Sequence, residues 1–356
     1  MNRKQVTLAD LAKELGISTA TVSRALKDYP DISADTKRRV IELSQKWNYR
    51  PNTMAAGLRK RESKVIGVII PSIVNHFFSS VIKGIMEVAY DRDYRVMLCQ
   101  SDESYEKECT DARALLSSRV DGLLVSLAHE TENYAHFEEF IELGIPVVFF
   151  DKVPTQLGYS KVVVDDFQGA YQAVTHLIEK GHRNIAHFRG PLLASTSRAR
   201  LEGYRKALHM HQIPLREEWI LPCEDISFDE GRDFTLELKK KYPELDGIFC
   251  VTDTVAMGAM VGVKKLNLRV PEDVAVVGFS NWFMSQVVDP PLSSVSQPSL
   301  EMGKRAADLL LQEIQAQKTK RNLSMNNWSY LPSWSCALPQ GDKNDLINRK
   351  LDFDHL

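Results

Sequence analysis

Thr19, Ala20, Ser23 and Arg24 are small, polar or cationic residues whose spacing puts them on one side of a short helix. Val22, Ala25 and Leu26 fall on the other side. Side chains of the first kind suit contact with base edges in a major groove. The neighbouring residues supply what such a helix needs. Thr7 and Asp10 have the spacing of a capping box, in which hydroxyl and carboxylate each satisfy a free backbone N–H. Leu8, Leu11, Ala12 and Leu15 recur at i, i+3, i+4 and i+7 and give a first helix its apolar face. Gly16 can end that helix in a left-handed conformation, and Ser18 can cap the second. Two short capped helices joined at a tight glycine turn read as a helix-turn-helix. On these residues alone, an ordinary helical hairpin stays open as the alternative.

Charge is segregated along the chain. Its 356 residues carry a formal net charge of −2, but residues 1–64 hold 14 Lys and Arg against 7 Asp and Glu, a net of +7. The remainder holds 31 against 40, a net of −9. A basic head on an acidic body suits phosphate contact. With 44% hydrophobic and 26% charged residues, the chain is expected to be globular, with two or three domains. No apolar run reaches the roughly 18 residues of a membrane span, and the polar, basic N-terminus lacks the apolar stretch of a secretory signal. Cys99, Cys109, Cys223, Cys250 and Cys336 are scattered, odd in number and without a Cys-x-x-Cys pair, as in a cytosolic protein with reduced thiols. The sequence has no Gly-x-Ser-x-Gly elbow, no phosphate loop, no Gly-x-Gly-x-x-Gly after its first strand and no metal-spaced histidine cluster. Neither an enzyme nor a bound cofactor or metal is expected.

Beyond the opening motif, Ser33 caps a third helix whose Val40, Leu43 and Trp47 close a three-helix core. Lys37, Arg38 and Arg39 on it are candidates for phosphate contact or a solvated face. Pro51 disfavours helix at Arg50, and residues 53–61 can form only a helix too short to be stable alone, so 48–64 reads as a hinge. From Val65 onward, continuous apolar runs of strand length occur at 65–71, 95–99, 122–126, 146–151, 161–165, 184–188, 247–252 and 274–279. Such runs mark parallel strands buried on both faces. Helical stretches at 77–92, 104–118, 168–180, 198–211, 229–241, 254–265 and 299–316 separate most of them. This alternation predicts an α/β fold with two doubly wound parallel sheets and ligand sites at the carboxyl ends of strands.

The order of these parts resembles the lactose-repressor family of bacterial transcription regulators, over roughly residues 5–340. The motifs that carry the resemblance are Thr-Leu-Ala-Asp-Leu-Ala at 7–12, Ser-Thr-Ala-Thr-Val-Ser-Arg-Ala-Leu at 18–26 and Asn-Tyr-Arg-Pro-Asn at 48–52. In the core they are residues 176–186, 200–208 and 271–279, with Gln297-Pro298. The resemblance implies a helix-turn-helix headpiece (1–47), a hinge helix and linker (48–64), and a two-lobed core resembling periplasmic binding proteins (65–340). Lobe 1 would take about 65–165 and 295–325, lobe 2 about 166–294 and 326–340, leaving a tail at 341–356. It places Thr19, Ala20 and Arg24 in the major groove, and Thr7, Ser18, Thr21, Ser23, Tyr49 and Asn52 against phosphate or fixing the headpiece. Ala55 and Leu58 fall in the hinge, Leu58 matching a leucine that wedges between base pairs of the minor groove. Ala56 departs from the arginine that many relatives carry there.

For the core, the resemblance implies an effector cleft lined by Phe77, Phe78, Asp151, Arg200, Thr252, Asp253, Ser280, Asn281 and Gln297. A carboxylate, a guanidinium and amides can hydrogen-bond hydroxyls, while aromatic faces can stack on a sugar ring. Asp151 and Asp253 end strands and could instead cap the next helix, and one of Phe77 and Phe78 is expected in the core. Ser280 replaces an aspartate usual in relatives, and Ile226 replaces an aromatic found in some; Trp282 is the nearest aromatic that could stand in. The expected protein is thus a ligand-responsive repressor of carbohydrate-utilisation genes. It would bind a pseudo-palindromic double-stranded DNA operator as a homodimer, in the cytoplasm at the nucleoid, without membrane contact. A sugar or sugar derivative is the expected effector. A nucleoside- or purine-responsive regulator, or a solute-binding protein, is the alternative.

Overall fold

The structure, a computed structural model, describes residues 6–49, 62–155, 158–318, 328–331 and 336–337. The chain divides into two units, Met1–Ser63 and Lys64–Leu356. In the first, α1 (Leu8–Leu15), α2 (Thr19–Leu26) and α3 (Ala34–Lys46) enclose a small core. Thr7 caps α1 through the full capping box: its N–H donates to Asp10 Oδ2 at 2.8 Å and its hydroxyl accepts the Asp10 N–H at 3.3 Å. Gly16 ends the helix at φ +65°, a conformation that costs a residue with Cβ free energy and glycine almost none. Ser18 and Ser33 cap α2 and α3 by accepting the N–H groups of Thr21 and Thr36. Leu11, Ala12, Val22, Ala25 and Val40 are buried between the helices, with Trp47 and Tyr49 packed against them.

The second unit holds two six-stranded sheets. The first sheet comprises β1 (Val65–Ile70), β2 (Arg95–Gln100), β3 (Gly122–Val125), β4 (Val147–Phe150), β5 (Ser160–Val164) and β11 (Trp328–Leu331). Its strand order is β2-β1-β3-β4-β5-β11, and every pairing is parallel. Alternation along β1 divides its side chains between two apolar layers. Ile66, Val68 and Ile70 pack with Phe77, Phe78 and Val81 of α4 (His76–Asp91) and with Met302 and Leu310 of α11 (Ser299–Lys318). Ile69 packs on the other face with Leu115 of α5 (Tyr105–Ser117) and Phe137 and Phe140 of α6 (Ala135–Glu142).

The second sheet runs β7-β6-β8-β9-β10-β12, from β6 (Ile185–Arg189), β7 (Ile220–Pro222), β8 (Gly247–Cys250), β9 (Ala275–Ser280), β10 (Ser293–Ser296) and β12 (Cys336–Ala337). Only the β10–β12 pairing is antiparallel among the described residues. Helices α7 (Asp166–Glu179) and α8 (Ser195–Met210) cover one face, and α9 (Phe228–Lys241) and α10 (Asp253–Lys265) the other. In both lobes a pair of covering helices touches backbone to backbone. A Cβ at Gly303 would lie 2.0 Å from Val81 O, and one at Gly258 would lie 1.9 Å from Phe228 O.

The chain passes from the first sheet to the second at Asp165, returns at Gln297–Pro298, and crosses again after β11. Two expected boundaries therefore move. Val295 and Ser296, expected in lobe 1, lie in β10 of the second sheet. Residues 328–331, expected in lobe 2, form β11 and extend the first sheet with Trp328 opposite Lys161. A four-residue strand at an open parallel edge gains its hydrogen bonds from the neighbour β5, which local sequence does not reveal. Helix α6 and strands β7, β10 and β12 are likewise absent from the expected elements.

Candidate functional site

On the headpiece, Thr19, Ala20 and Arg24 are exposed along α2, Thr21 and Ser23 are half-buried, and Val22 and Ala25 face the core. Arg24 is not a free cation: it pairs with Asp31, and its guanidinium lies 5.5 Å from the centre of the Tyr29 ring. The Thr7 and Ser18 hydroxyls are engaged in their caps, Ser18 also bonding Thr21 Oγ1 at 2.8 Å. Lys37 pairs with Asp28 and Arg38 with Asp35, while Arg39 is exposed. Tyr49 packs on the headpiece core, where burial raises its phenol above the usual range. Asn52, Ala55, Ala56 and Leu58 lie outside the described residues.

In the core unit, the expected residues converge from both lobes, though not all in the expected role. Phe77 and Phe78 in the first turn of α4 are both buried, with ring centroids 5.2 Å apart at 78°, so both belong to the core layer, not one. Asp151 follows β4 at φ +57° and accepts a hydrogen bond from Ser126 Oγ at 3.3 Å. The next element is the strand β5, which removes the helix-cap alternative for Asp151. Burial pushes its carboxyl up to about 6; Lys152 and Arg200 pull it down, while Asp166 and Glu103 push it further up. Lys152 is itself held by both carboxylate oxygens of Glu103, at 2.5 and 2.7 Å.

Arg200 on α8 is 5% exposed and anchored in lobe 2. Its Nε donates to Asp166 Oδ1 at 2.9 Å, Nη2 lies 2.7 Å from the same oxygen, and Nη1 donates to Val251 O at 2.6 Å. The guanidinium sits 3.7 Å from the centre of the Phe279 ring. Asp166 is a site residue that sequence reasoning missed; the usable signal was an acidic pair directly after a strand, of which Asp165 serves as the cap of α7. Thr252 caps α10, not Asp253. Asp253 is 2% exposed, with Oδ2 accepting the Trp282 N–H at 2.6 Å and Oδ1 accepting the Ser294 hydroxyl. It fastens α10 to the β9–β10 connection. Burial also pushes its carboxyl up to about 6.

Ser280 and Asn281 take φ of +115° and +51°, and such conformations in residues with Cβ cluster where structure serves a site. The Ser280 hydroxyl donates to Gln297 Oε1 at 2.9 Å, and Asn281 Nδ2 donates to Ser296 Oγ at 3.4 Å. These bonds leave Asn281 Oδ1 and Gln297 Nε2 buried without a partner. One acceptor and one donor are thus desolvated and unsatisfied, each at a cost of about 1–3 kcal/mol that a bound polar group would recover. The lobes touch nearby: the Val153 N–H donates to Ser195 Oγ at 3.2 Å, joining the segment after Asp151 to the first turn of α8. Ile226, at φ +49°, packs against the lobe 2 core in place of any stacking aromatic.

Because Asp151 is buried and held above its ordinary range of 3.8, its charge opposes folding. A raised folded-state pKa gives stability that is present at low pH and lost as pH rises through about 6. Asp151→Asn, which keeps an acceptor for Ser126, should raise unfolding free energy at pH 7 by about 3 kcal/mol and change it far less at pH 4. Equal effects at both pH values in urea titrations would contradict a buried, strained carboxylate.

An exposed, capped second helix in one unit, and a core of two parallel-sheet lobes with unsatisfied polar groups beside β9 and β10 in the other, fit a DNA-binding regulator with a ligand-binding core. Residues 7–52 match the family described as bacterial regulatory proteins, lacI family, and residues 63–330 match periplasmic binding proteins and sugar binding domain of LacI family. The chain belongs to this family and is a transcriptional repressor, not an enzyme. It is 34% identical to catabolite control protein A of Priestia megaterium, across 86% of this chain and 91% of the relative. It resembles the lac repressor dimer bound to operator and the anti-inducer ONPF, with TM-score 0.79, 28% identity, and coverage of 92% and 97%. It resembles the CelR–cellobiose complex with TM-score 0.69, 26% identity and the same coverage. Among the described residues no helix is long and apolar enough to cross a membrane.

Proposed function

We propose that the chain represses carbohydrate-utilisation genes as a homodimer on a pseudo-palindromic operator in the cytoplasm, at the nucleoid, under control of a sugar bound between the lobes. The observation that carries the effector site is the unsatisfied pair Asn281 Oδ1 and Gln297 Nε2, on the lobe that also holds the Arg200–Asp166 pair, with Asp151 opposite. An acceptor, a donor, a guanidinium and a carboxyl group suit the hydroxyls of a sugar, and the likeness to a cellobiose-bound regulator supports that class. Thr19, Ala20 and Arg24 read the major groove. Thr7, Ser18, Thr21, Ser23, Tyr49 and Asn52 fix the headpiece on phosphate, and Leu58, with Ala55 in the same hinge at 48–64, enters the minor groove. A full switch from about 1:99 to 99:1 requires the effector to favour one state by roughly 5.5 kcal/mol.

The test is a thermal-shift screen of full-length protein against sugars and nucleosides, followed by titration of an operator selected from randomised duplexes. A ligand at about 100 times its Kd adds roughly 2.7 kcal/mol to the folded state. A sugar is expected to raise Tm and to change operator affinity. Stabilisation by nucleosides alone, or by a sugar without effect on operator binding, would overturn the reading.

A further inference from the structure

The chain turns from α2 to α3 through Lys27-Asp28-Tyr29-Pro30-Asp31-Ile32, and this corner is fixed bond by bond. The Asp28 N–H donates to Ala25 O and the Tyr29 N–H to Arg24 O, both at 3.1 Å. These are the paired bonds with which a helix ends on a left-handed residue. That residue is Asp28, at φ +55°, where glycine is usual and aspartate is among the few side chains that tolerate the conformation. Lys37 of α3 secures it, with Nζ 2.6 Å from Asp28 Oδ1 and 3.4 Å from Asp28 O. Pro30 has its φ set by its ring. The Ile32 N–H then donates to Tyr29 O at 3.3 Å, and Ile32 packs on the headpiece core. Asp31 is thereby delivered to Arg24 from beyond the end of the helix.

Folding gives little reason for a carboxylate there. Asp31 caps neither helix, since Ser33 caps α3 and backbone bonds close α2. Its pair with Arg24 leaves the two side chains 46% and 50% exposed, and an exposed ion pair adds little to stability. A negative charge beside a reading helix also opposes approach to phosphate. The pair joins Arg24 Nη2 to Asp31 Oδ2. Other donors of the guanidinium remain for O6 and N7 of a guanine, and Oδ1 remains as a second acceptor. On their major-groove edges adenine, guanine and thymine each present an acceptor, whereas cytosine presents only its N4 amine. A carboxylate, which can only accept, therefore matches cytosine. We propose that Asp31 is a second base-reading residue: with Arg24 on a guanine, it accepts the N4 amine of a cytosine in the adjoining base pair. The corner thus specifies a position of each half-site that α2 alone does not read. This inference rests on Arg24 facing a base edge.

Selection of duplexes from a randomised pool by the full-length protein, followed by sequencing, tests it. The unaltered protein should select a guanine in each half-site and a cytosine in the base pair beside it. In competition binding, exchanging that cytosine for any other base should cost at least about fivefold per half-site. Asp31→Ala should lose the cytosine preference and keep the guanine. Asp31→Asn should move the preference at the same position to adenine, whose N6 and N7 an amide matches with two hydrogen bonds. Arg24→Ala should lose the guanine. If both Asp31 variants select the same adjoining base as the unaltered protein, or relax only the guanine position, Asp31 does no more than orient Arg24 and the inference falls. If Arg24→Ala still selects the guanine, the placement of Arg24 at a base edge falls, and this inference with it.

Discussion

Arg200→Ala is expected to destabilise the core unit by about 3–5 kcal/mol and to abolish the response to effector in the same step. The two effects have separate causes. The guanidinium neutralises Asp166, which is 7% exposed, and it supplies a donor to Val251 O. Alanine leaves a buried carboxylate without its cation, and that loss exceeds the value of the contacts themselves. Asp166 is already held above the ordinary carboxylate range by burial, with Arg200 opposing the rise. Without Arg200 its folded-state pKa climbs further, so stability is retained at low pH and lost as pH rises through that value. The deficit should therefore be larger at pH 7.5 than at pH 5, as a shift in urea midpoint with unchanged slope. Removing both charges in Arg200→Ala/Asp166→Ala should recover much of the stability but none of the effector response. A single variant that loses less than about 1 kcal/mol would mean the pair is better solvated than its burial indicates.

Legibility in the sequence followed a physical division. Strands β1, β3, β4, β8 and β9 are buried on both faces, so each had to be a continuous apolar run, and each stood out as one. The headpiece was equally readable because its caps are local: Thr7, Asp10, Ser18 and Ser33 act within three residues of themselves. What was hidden depends on partners distant in sequence. β10 reads Ser-Ser-Val-Ser and becomes a strand only beside β9, and β11 becomes one only beside β5. The site divides in the same way. Arg200 was found from its motif, but its partner Asp166 lies 34 residues earlier and joins it only through packing of α7 on α8. The resemblance implies Asp253 as a cleft residue, and its place at a strand end offers a helix cap instead. Its real partners, Trp282 and Ser294, lie 29 and 41 residues away. Trp282 could be named from sequence as an aromatic near the site, whereas the meeting of its ring with His76 of α4 required the lobes to be brought together.

Arg24→Ala is expected to weaken operator binding by the dimer between about 30-fold and about 10⁴-fold. A bidentate arginine–guanine contact is worth about 1–3 kcal/mol against a wrong base, and a dimer makes it twice, giving about 2–6 kcal/mol, at about 1.4 kcal/mol per tenfold. Neighbouring α2 residues cannot match this: Ala20 offers only a methyl, and Thr19 a single hydroxyl. The side chain is held ready by Asp31 on one side and the Tyr29 ring on the other. That exposed pair is worth only about 0.2–1 kcal/mol to folding, so Asp31→Asn should barely change the melting temperature. Its effect should fall on discrimination. Without Asp31 the guanidinium samples more orientations and a negative charge leaves the DNA-facing surface. Affinity for unrelated duplex should therefore rise while the ratio of operator to unrelated binding falls. Arg24→Ala should lower the same ratio mainly through the operator term, with little change in the salt dependence of binding to unrelated DNA. Equal loss on both duplexes, with the slope against salt reduced by about one per copy, would assign Arg24 to phosphate instead of a base.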